Sequence, residues 1–214
     1  MTFAILAFDG TDAEAPARRA AARDAHIAHI TRAAIAGRLA LALPLHDEAG
    51  GSLGSLMVVD VPDRAGLDAY LAAEPFAQAR VWRRLKTHAF RIAPLPYAPW
   101  PAPGGPTPRA RTHTVVVAMD GTDAGAEARR LAARPRHFAR VRASAEAGVL
   151  TFGGAILDAA DGRMIGSVAV TRHTTHEAAQ AWWAEDPYVT EGVWREATYY
   201  GTILRPLAFK PLPG

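Results

Sequence analysis

Apolar positions along the chain fall into two kinds of period, and the same alternation of periods occurs twice. Short apolar runs at Phe3–Phe8 and Thr114–Met119 end at an Asp-Gly pair and read as buried strands. After each run the period lengthens to that of a helix. Ile27, Ile30 and Ala34 mark one apolar stripe, and Phe138, Val141 and Ala145 mark the other. Gly37 and Gly148 follow as helix stops. Leu39–Leu45 with Leu53–Val61, and Val149–Leu157 with Met164–Thr171, then read as hairpins, the second one turning at Asp161-Gly162. Second helices are expected over Arg64–Ala73 and His176–Glu185, with Thr174 and Glu177 spaced as a capping box. Last strands are expected at Lys86–Ile92 and Thr198–Leu204.

These two halves are copies. Asp9-Gly10-Thr11-Asp12 recurs as Asp120-Gly121-Thr122-Asp123, Arg18-Arg19 as Arg129-Arg130, and Arg23, His26 and Gly37 as Arg134, His137 and Gly148. One extra residue in the second hairpin then matches Gly54-Ser55 to Gly166-Ser167, Glu74-Pro75-Phe76 to Asp186-Pro187-Tyr188, and Val81-Trp82-Arg83 to Val193-Trp194-Arg195. Between the copies, Pro94, Pro96, Pro99, Pro101, Pro103, Pro106 and Pro108 favour extended backbone and predict a semi-rigid spacer. The expected division is residues 1–93 for the first repeat, 94–112 for the linker and 113–214 for the second repeat.

The order β-α-β-β-α-β is that of a ferredoxin-like unit, an antiparallel four-stranded sheet with both helices on one face. The fold class is therefore α+β. The uncovered sheet face of each unit predicts that the two sheets pack as an intrachain, pseudo-dimeric α+β barrel.

Composition changes this picture little. Hydrophobic residues make up 50% of the chain and charged residues 21%, which suits a packed globular protein. No cysteine is present, so disulfides, thiolate metal sites and cysteine nucleophiles are excluded. No apolar run approaches the roughly 20 residues that cross a bilayer, and the N-terminal residues lack a signal-peptide pattern. A cytoplasmic protein with no membrane partner is expected. The pI near 9.6 and the arginines between Arg129 and Arg142 raise the question of nucleic acid. A net charge of only +3, with no accompanying recognition motif, argues for a solvated helix face instead.

Candidate chemistry centres on one histidine. Pro135 reads as the first turn of a helix, which would put His137 near the positive end of the helix dipole and favour its neutral form. Topology brings the start of the first helix to the sheet end where the second helix finishes, next to Asp186. An aspartate holding one imidazole nitrogen leaves the other free to act as a base. Arg134 could hold an anionic group and Ser167 could donate a hydroxyl, while Gly153, Gly154 and Gly166 would leave room above the sheet. The first repeat offers His26, Glu74, Arg23 and Ser55 at matching positions, but Asp24 replaces Pro135 and Leu43 replaces Gly154. Each feature also has a structural explanation: a histidine cap, a helix-ending Asp-Pro, an arginine bridging to Asp120 or Asp123, and aromatics (Trp182, Trp183, Tyr188, Trp194, Tyr199 and Tyr200) that serve as core or pocket wall. His26-x-x-His29 could face one side of a helix, but no third metal ligand accompanies it.

The phrase Arg134-Pro135-Arg136-His137, followed by Gly148, Gly153, Gly166-Ser167 and Asp186-Pro187-Tyr188-Val189, resembles the YCII-related family within the dimeric α+β barrel superfamily. The resemblance covers both copies. It implies face-to-face pairing of ferredoxin-like units and a His-Asp pair falling on His137 and Asp186. One branch of that family looks like dehydrochlorinases of chlorinated hydroxyquinols, chemistry that needs no metal or cofactor. The expected function is acid/base catalysis on a small anionic or phenolic substrate, by a monomeric pseudo-dimer or a homodimer of pseudo-dimers. The alternative is a binding or accessory module that uses the same pocket without turnover.

Overall fold

The computed structural model describes residues 1–160 and 162–213 and contains two compact units. The first comprises Met1–Ala89, Trp100–Thr107 and Leu204–Pro211, and the second includes Phe90–Pro99 and Pro108–Ile203. The proline-rich stretch is thus divided, and its first part is built into the second unit. The Asp161-Gly162 turn expected from the sequence falls, at Asp161, outside the described residues. The fold class is α+β, as the repeated element order implies.

In the first unit β1 (Thr2–Asp9), α1 (Ala15–Ile35), β2 (Leu39–His46), β3 (Ser52–Asp60), α2 (Arg64–Ala72), α3 (Pro75–Gln78) and β4 (Trp82–Ile92) follow in order. The strands pair antiparallel as β4-β1-β3-β2. Alternate residues Ile5 and Ala7 of β1, with Met57 and Val59 of β3, pack with Ile30, Ala33 and Ala34 of α1 and Leu67 of α2. A period of two on the strands meets a period of 3.6 on the helices, and each fully buried Leu or Ile contributes roughly 1.5–3 kcal/mol.

The second unit repeats the plan with β5 (His113–Asp120), α4 (Ala126–Glu146), β6 (Leu150–Leu157), β7 (Met164–Thr171), α5 (His176–Ala184), α6 (Pro187–Thr190) and β8 (Trp194–Thr202). Its sheet order is β8-β5-β7-β6, again antiparallel. Val116 and Ala118 of β5 and Ala169 of β7 pack with Ala133, Val141 and Ala145 of α4 and with Trp183 of α5. Gly37 and Gly148, both at φ 68°, occupy the left-handed position after α1 and α4, where a side chain would be strained.

Two local expectations are corrected, and two short helices are added. Pro135 lies inside α4, nine residues after Ala126, because the alanine- and arginine-rich sequence before it is helical and the buried stripe holds the helix together across the missing amide. The cap of α5 is Thr175, whose hydroxyl accepts from the Ala178 amide, so Thr174 and Glu177 do not form a capping box. The single-turn helices α3 and α6, each starting at the proline after Glu74 or Asp186, were not foreseen.

Among the described residues, no helix is long and apolar enough to cross a membrane.

Candidate functional site

His137 and Asp186 meet in the second unit. Asp186 caps α6: its Oδ1 accepts the Tyr188 amide at 2.8 Å, and the same oxygen accepts from His137 Nδ1 at 2.8 Å. The helix-ending role and the histidine contact therefore coexist on one carboxylate. Asp186 is fully buried, and the His137 side chain is 13% exposed. Because Pro135 is internal, His137 sits near the middle of α4, where the helix dipole has no leverage on it. It is α6, folded against α4, that delivers the carboxylate to the middle of the helix.

Tyr188 carries the imidazole on its face, with ring centroids 3.7 Å apart and planes within 9°. Arg130 lies over the same tyrosine at 4.7 Å. Its Nη1 donates to both oxygens of Asp120 at 2.7 Å, and its Nη2 donates to Ser167 Oγ at 3.0 Å. This ion pair is almost fully buried, and burial pushes the Asp120 carboxyl up from its ordinary value despite the guanidinium beside it. Burial likewise pushes the Tyr188 phenol up. Ser167 Oγ also accepts from Trp194 Nε1 at 3.3 Å. With two donors on its oxygen, the hydroxyl has its own proton left to give.

Beside these groups lies a cavity of about 250 Å³. His137, Ser167, Tyr188 and Trp194 contribute to it, and Arg130, Arg134 and Arg91 are its cations. Among the described residues no carboxylate lines it. Arg134 is exposed, rests over the Phe138 ring at 5.1 Å and forms no ion pair among the described residues. Asp120 and Asp123, its candidate partners, are taken by Arg130 and Arg129. Ala93, Pro94 and Leu95 supply one wall. That segment is fastened down by the Ala93 amide and the Tyr97 hydroxyl, which donate to Gly153 O at 2.9 and 3.0 Å. The glycines do not all leave room as expected. A Cβ at Gly154 would lie 2.5 Å from Arg91 O and from Phe90 Cζ, so this glycine lets the neighbouring backbone approach, as Gly166 does for Ala118 O. Gly153 and Gly154 both line the cavity.

The first unit reproduces the frame with altered fittings. His26 Nδ1 is bonded to Glu74 Oε1, while Glu74 Oε2 accepts the Phe76 amide at 2.8 Å. The imidazole stacks on Phe76 at 3.9 Å and 9°. Arg19 pairs with Asp9 at 2.8 Å, but its Nη2 donates to Gly54 O at 3.3 Å rather than to the buried Ser55. Trp82 Nε1, the counterpart of Trp194 Nε1, is buried without a hydrogen bond among the described residues. Arg23 is exposed, with Arg205 close enough for the two cations to repel. Arg205 matches Ala93: Leu207 N bonds Arg205 O at 2.9 Å, as Leu95 N bonds Ala93 O at 3.0 Å. A half-buried arginine thus stands in the first unit where the second has a methyl group.

Neither Arg130 nor the Ala93–Leu95 wall is legible in the sequence as part of the site, whereas Tyr188, expected as core or pocket wall, lines the cavity. The Asp9/Arg19 and Asp120/Arg130 pairs were visible as a repeated feature, but their burial was not.

The sequence matches the YCII-related domain over residues 1–91 and 114–201. No curated protein sequence matches it. Among solved structures, a candidate monooxygenase from Lactobacillus acidophilus is similar over 99% of this chain and 97% of that one, at 15% identity and a TM-score of 0.55. A variant chlorite dismutase from Candidatus Nitrospira defluvii is similar over 96% and 91%, at 10% identity and 0.57. A heme-binding protein from Thermus thermophilus is similar over 96% and 92%, at 13% identity and 0.56. At such identities the likeness extends to the fold alone.

Proposed function

The chain belongs to the YCII-related domain family, and from that premise we propose that its second repeat is an acid/base enzyme site for a small anionic or phenolic compound. The observation that carries this reading is the 2.8 Å contact between His137 Nδ1 and buried Asp186, made by a histidine that lines a cavity. Asp186 holds the Nδ1 proton, so Nε2 is the basic nitrogen. It takes a proton from the substrate, and Asp186 stabilises the imidazolium that results. Ser167 donates its hydroxyl proton to a substrate oxygen, and Arg134 and Arg91 attract the negative charge. Where the substrate carries a leaving group beside the deprotonated atom, the freed electron pair forms the new π bond as that group departs. This is an elimination of the dehydrochlorinase type, and protein groups alone suffice for it.

The cavity volume supports a substrate of about one ring, since a cavity of about 150 Å³ already holds benzene. Arg134 and Arg91, with no carboxylate among the lining residues described, support a negatively charged or phenolic one.

The test is a panel of single-ring phenols, carboxylates and halogenated phenols, incubated with the wild type and with His137→Ala and followed for product and released halide. Turnover by the wild type alone is expected. Compounds that bind and are recovered unchanged would instead mark a binding module.

A further inference from the structure

Two buried polar atoms beside the dyad face one another without a hydrogen bond. Asp186 uses Oδ1 for both His137 and the Tyr188 amide, and its buried Oδ2 has no hydrogen-bond partner among the described residues. Arg140 Nε, also buried and unbonded, lies 3.7 Å from that oxygen. The guanidinium is pinned there. Its Nη2 donates to Trp182 O at 2.6 Å, its Nη1 reaches Glu185 Oε2 at 3.4 Å, and its centre lies 4.6 Å from the Trp182 ring. Arg140 is three residues beyond His137 on α4, hence on the same face and one turn away.

We infer that Arg140 is a positioning residue for the dyad: its fixed charge keeps Asp186 ionised and limits how tightly the pair holds a proton on His137. A guanidinium stays charged at any working pH, so it opposes the imidazolium whenever that forms. Without it, a buried aspartate would stabilise the imidazolium unopposed. The other charges near the pair are already committed or lie further along α4. Arg130 is held by Asp120, Arg136 by Glu191 at 2.8 Å, and Arg134 stands over Phe138. Glu185 at the end of α5 is tied to Arg140 itself, and Tyr188 of α6 is a phenol kept neutral by burial. The first repeat has His29 at the Arg140 position, and burial drives that imidazole toward its neutral form, so no permanent cation stands at that position beside Glu74.

This inference rests on the acid/base reading of the dyad, but it concerns proton affinity, which can be read without turnover. The experiment is an NMR titration of the histidine ring signals in the full chain, comparing wild type with Arg140→Gln, Arg140→Met and Arg140→Lys. The Met variant keeps the apolar stem on Trp182. The His137 midpoint is expected to rise by about one pH unit in the Gln and Met variants and to stay near wild type in the Lys variant, with His26 unmoved as internal reference. An unchanged or lowered His137 midpoint in Arg140→Gln or Arg140→Met would overturn the inference, as would an equal rise in Arg140→Lys. Absence of turnover by the wild type across the substrate panel, with the shift still present, would remove the enzyme reading and leave Arg140's role standing.

Discussion

The imidazole of His137 lies flat on the ring of Tyr188, 3.7 Å away, and His26 lies on Phe76 in the same way at 3.9 Å. The stack, rather than the hydroxyl, is what both repeats share. Tyr188→Phe is therefore expected to change folding stability by less than about 1 kcal/mol, whereas Tyr188→Ala should cost about 3–5 kcal/mol. Urea unfolding of the two variants checks this. Equal losses would mean that the hydroxyl, and not the ring, holds the histidine.

The difference between Ala93 and Arg205 can be transplanted. Ala93 lines the cavity, and its counterpart in the first repeat is a half-buried arginine whose Nη1 donates to Thr107 Oγ1 at 3.2 Å. In Ala93→Arg the long side chain should fill the cavity mouth without disturbing the backbone bond from Ala93 N to Gly153 O. Affinity for a single-ring anion should fall roughly tenfold or more, about 1.4 kcal/mol, at nearly unchanged melting temperature. Calorimetric titration of wild type and variant decides the matter, and undiminished affinity would place the ligand elsewhere.

How far the sequence could be read depended on whether a feature was local or distant. The repeat, the element order and the glycines after α1 and α4 were legible because periodicity and turn chemistry are written in neighbouring residues. His137 and Asp186 were paired by topology alone, and the structure brings them together. The argument from Pro135 failed because a proline that favours a first turn also survives inside a helix whose apolar stripe is buried. The Arg130–Asp120 pair, with Ser167 attached, was not legible because nothing local distinguishes the buried Arg130 from its partly exposed neighbour Arg129. The cavity wall at Ala93–Leu95 was hidden for a related reason. A proline-rich run looks like a spacer until a hydrogen bond such as Ala93 N to Gly153 O shows that it is built in.

Stability should also report the buried histidine at the start of β5. Burial, reinforced by Arg172 and His173, pushes His113 down to about 4, and its Nε2 is buried without a hydrogen bond. In the unfolded chain a histidine titrates near 6.5. Between those values the unfolded state binds the proton that the folded state refuses, so stability falls as pH drops from about 6.5 to about 4 and is unaffected by this group above that window. The fall from this one group cannot exceed about 1.4 kcal/mol per pH unit. Urea midpoints at pH 7.5 and pH 5 should differ less in His113→Phe than in wild type. Equal differences would contradict the assignment.

The most direct test of the account compares two matched substitutions, His137→Gln and His26→Gln, on the first compound of the panel that the wild type turns over. The rate should fall by roughly 10²-fold or more in His137→Gln and stay within about twofold of wild type in His26→Gln, with both proteins folded. A rate that survives His137→Gln, or that falls equally in the two variants, would contradict a working site built on the second repeat's histidine.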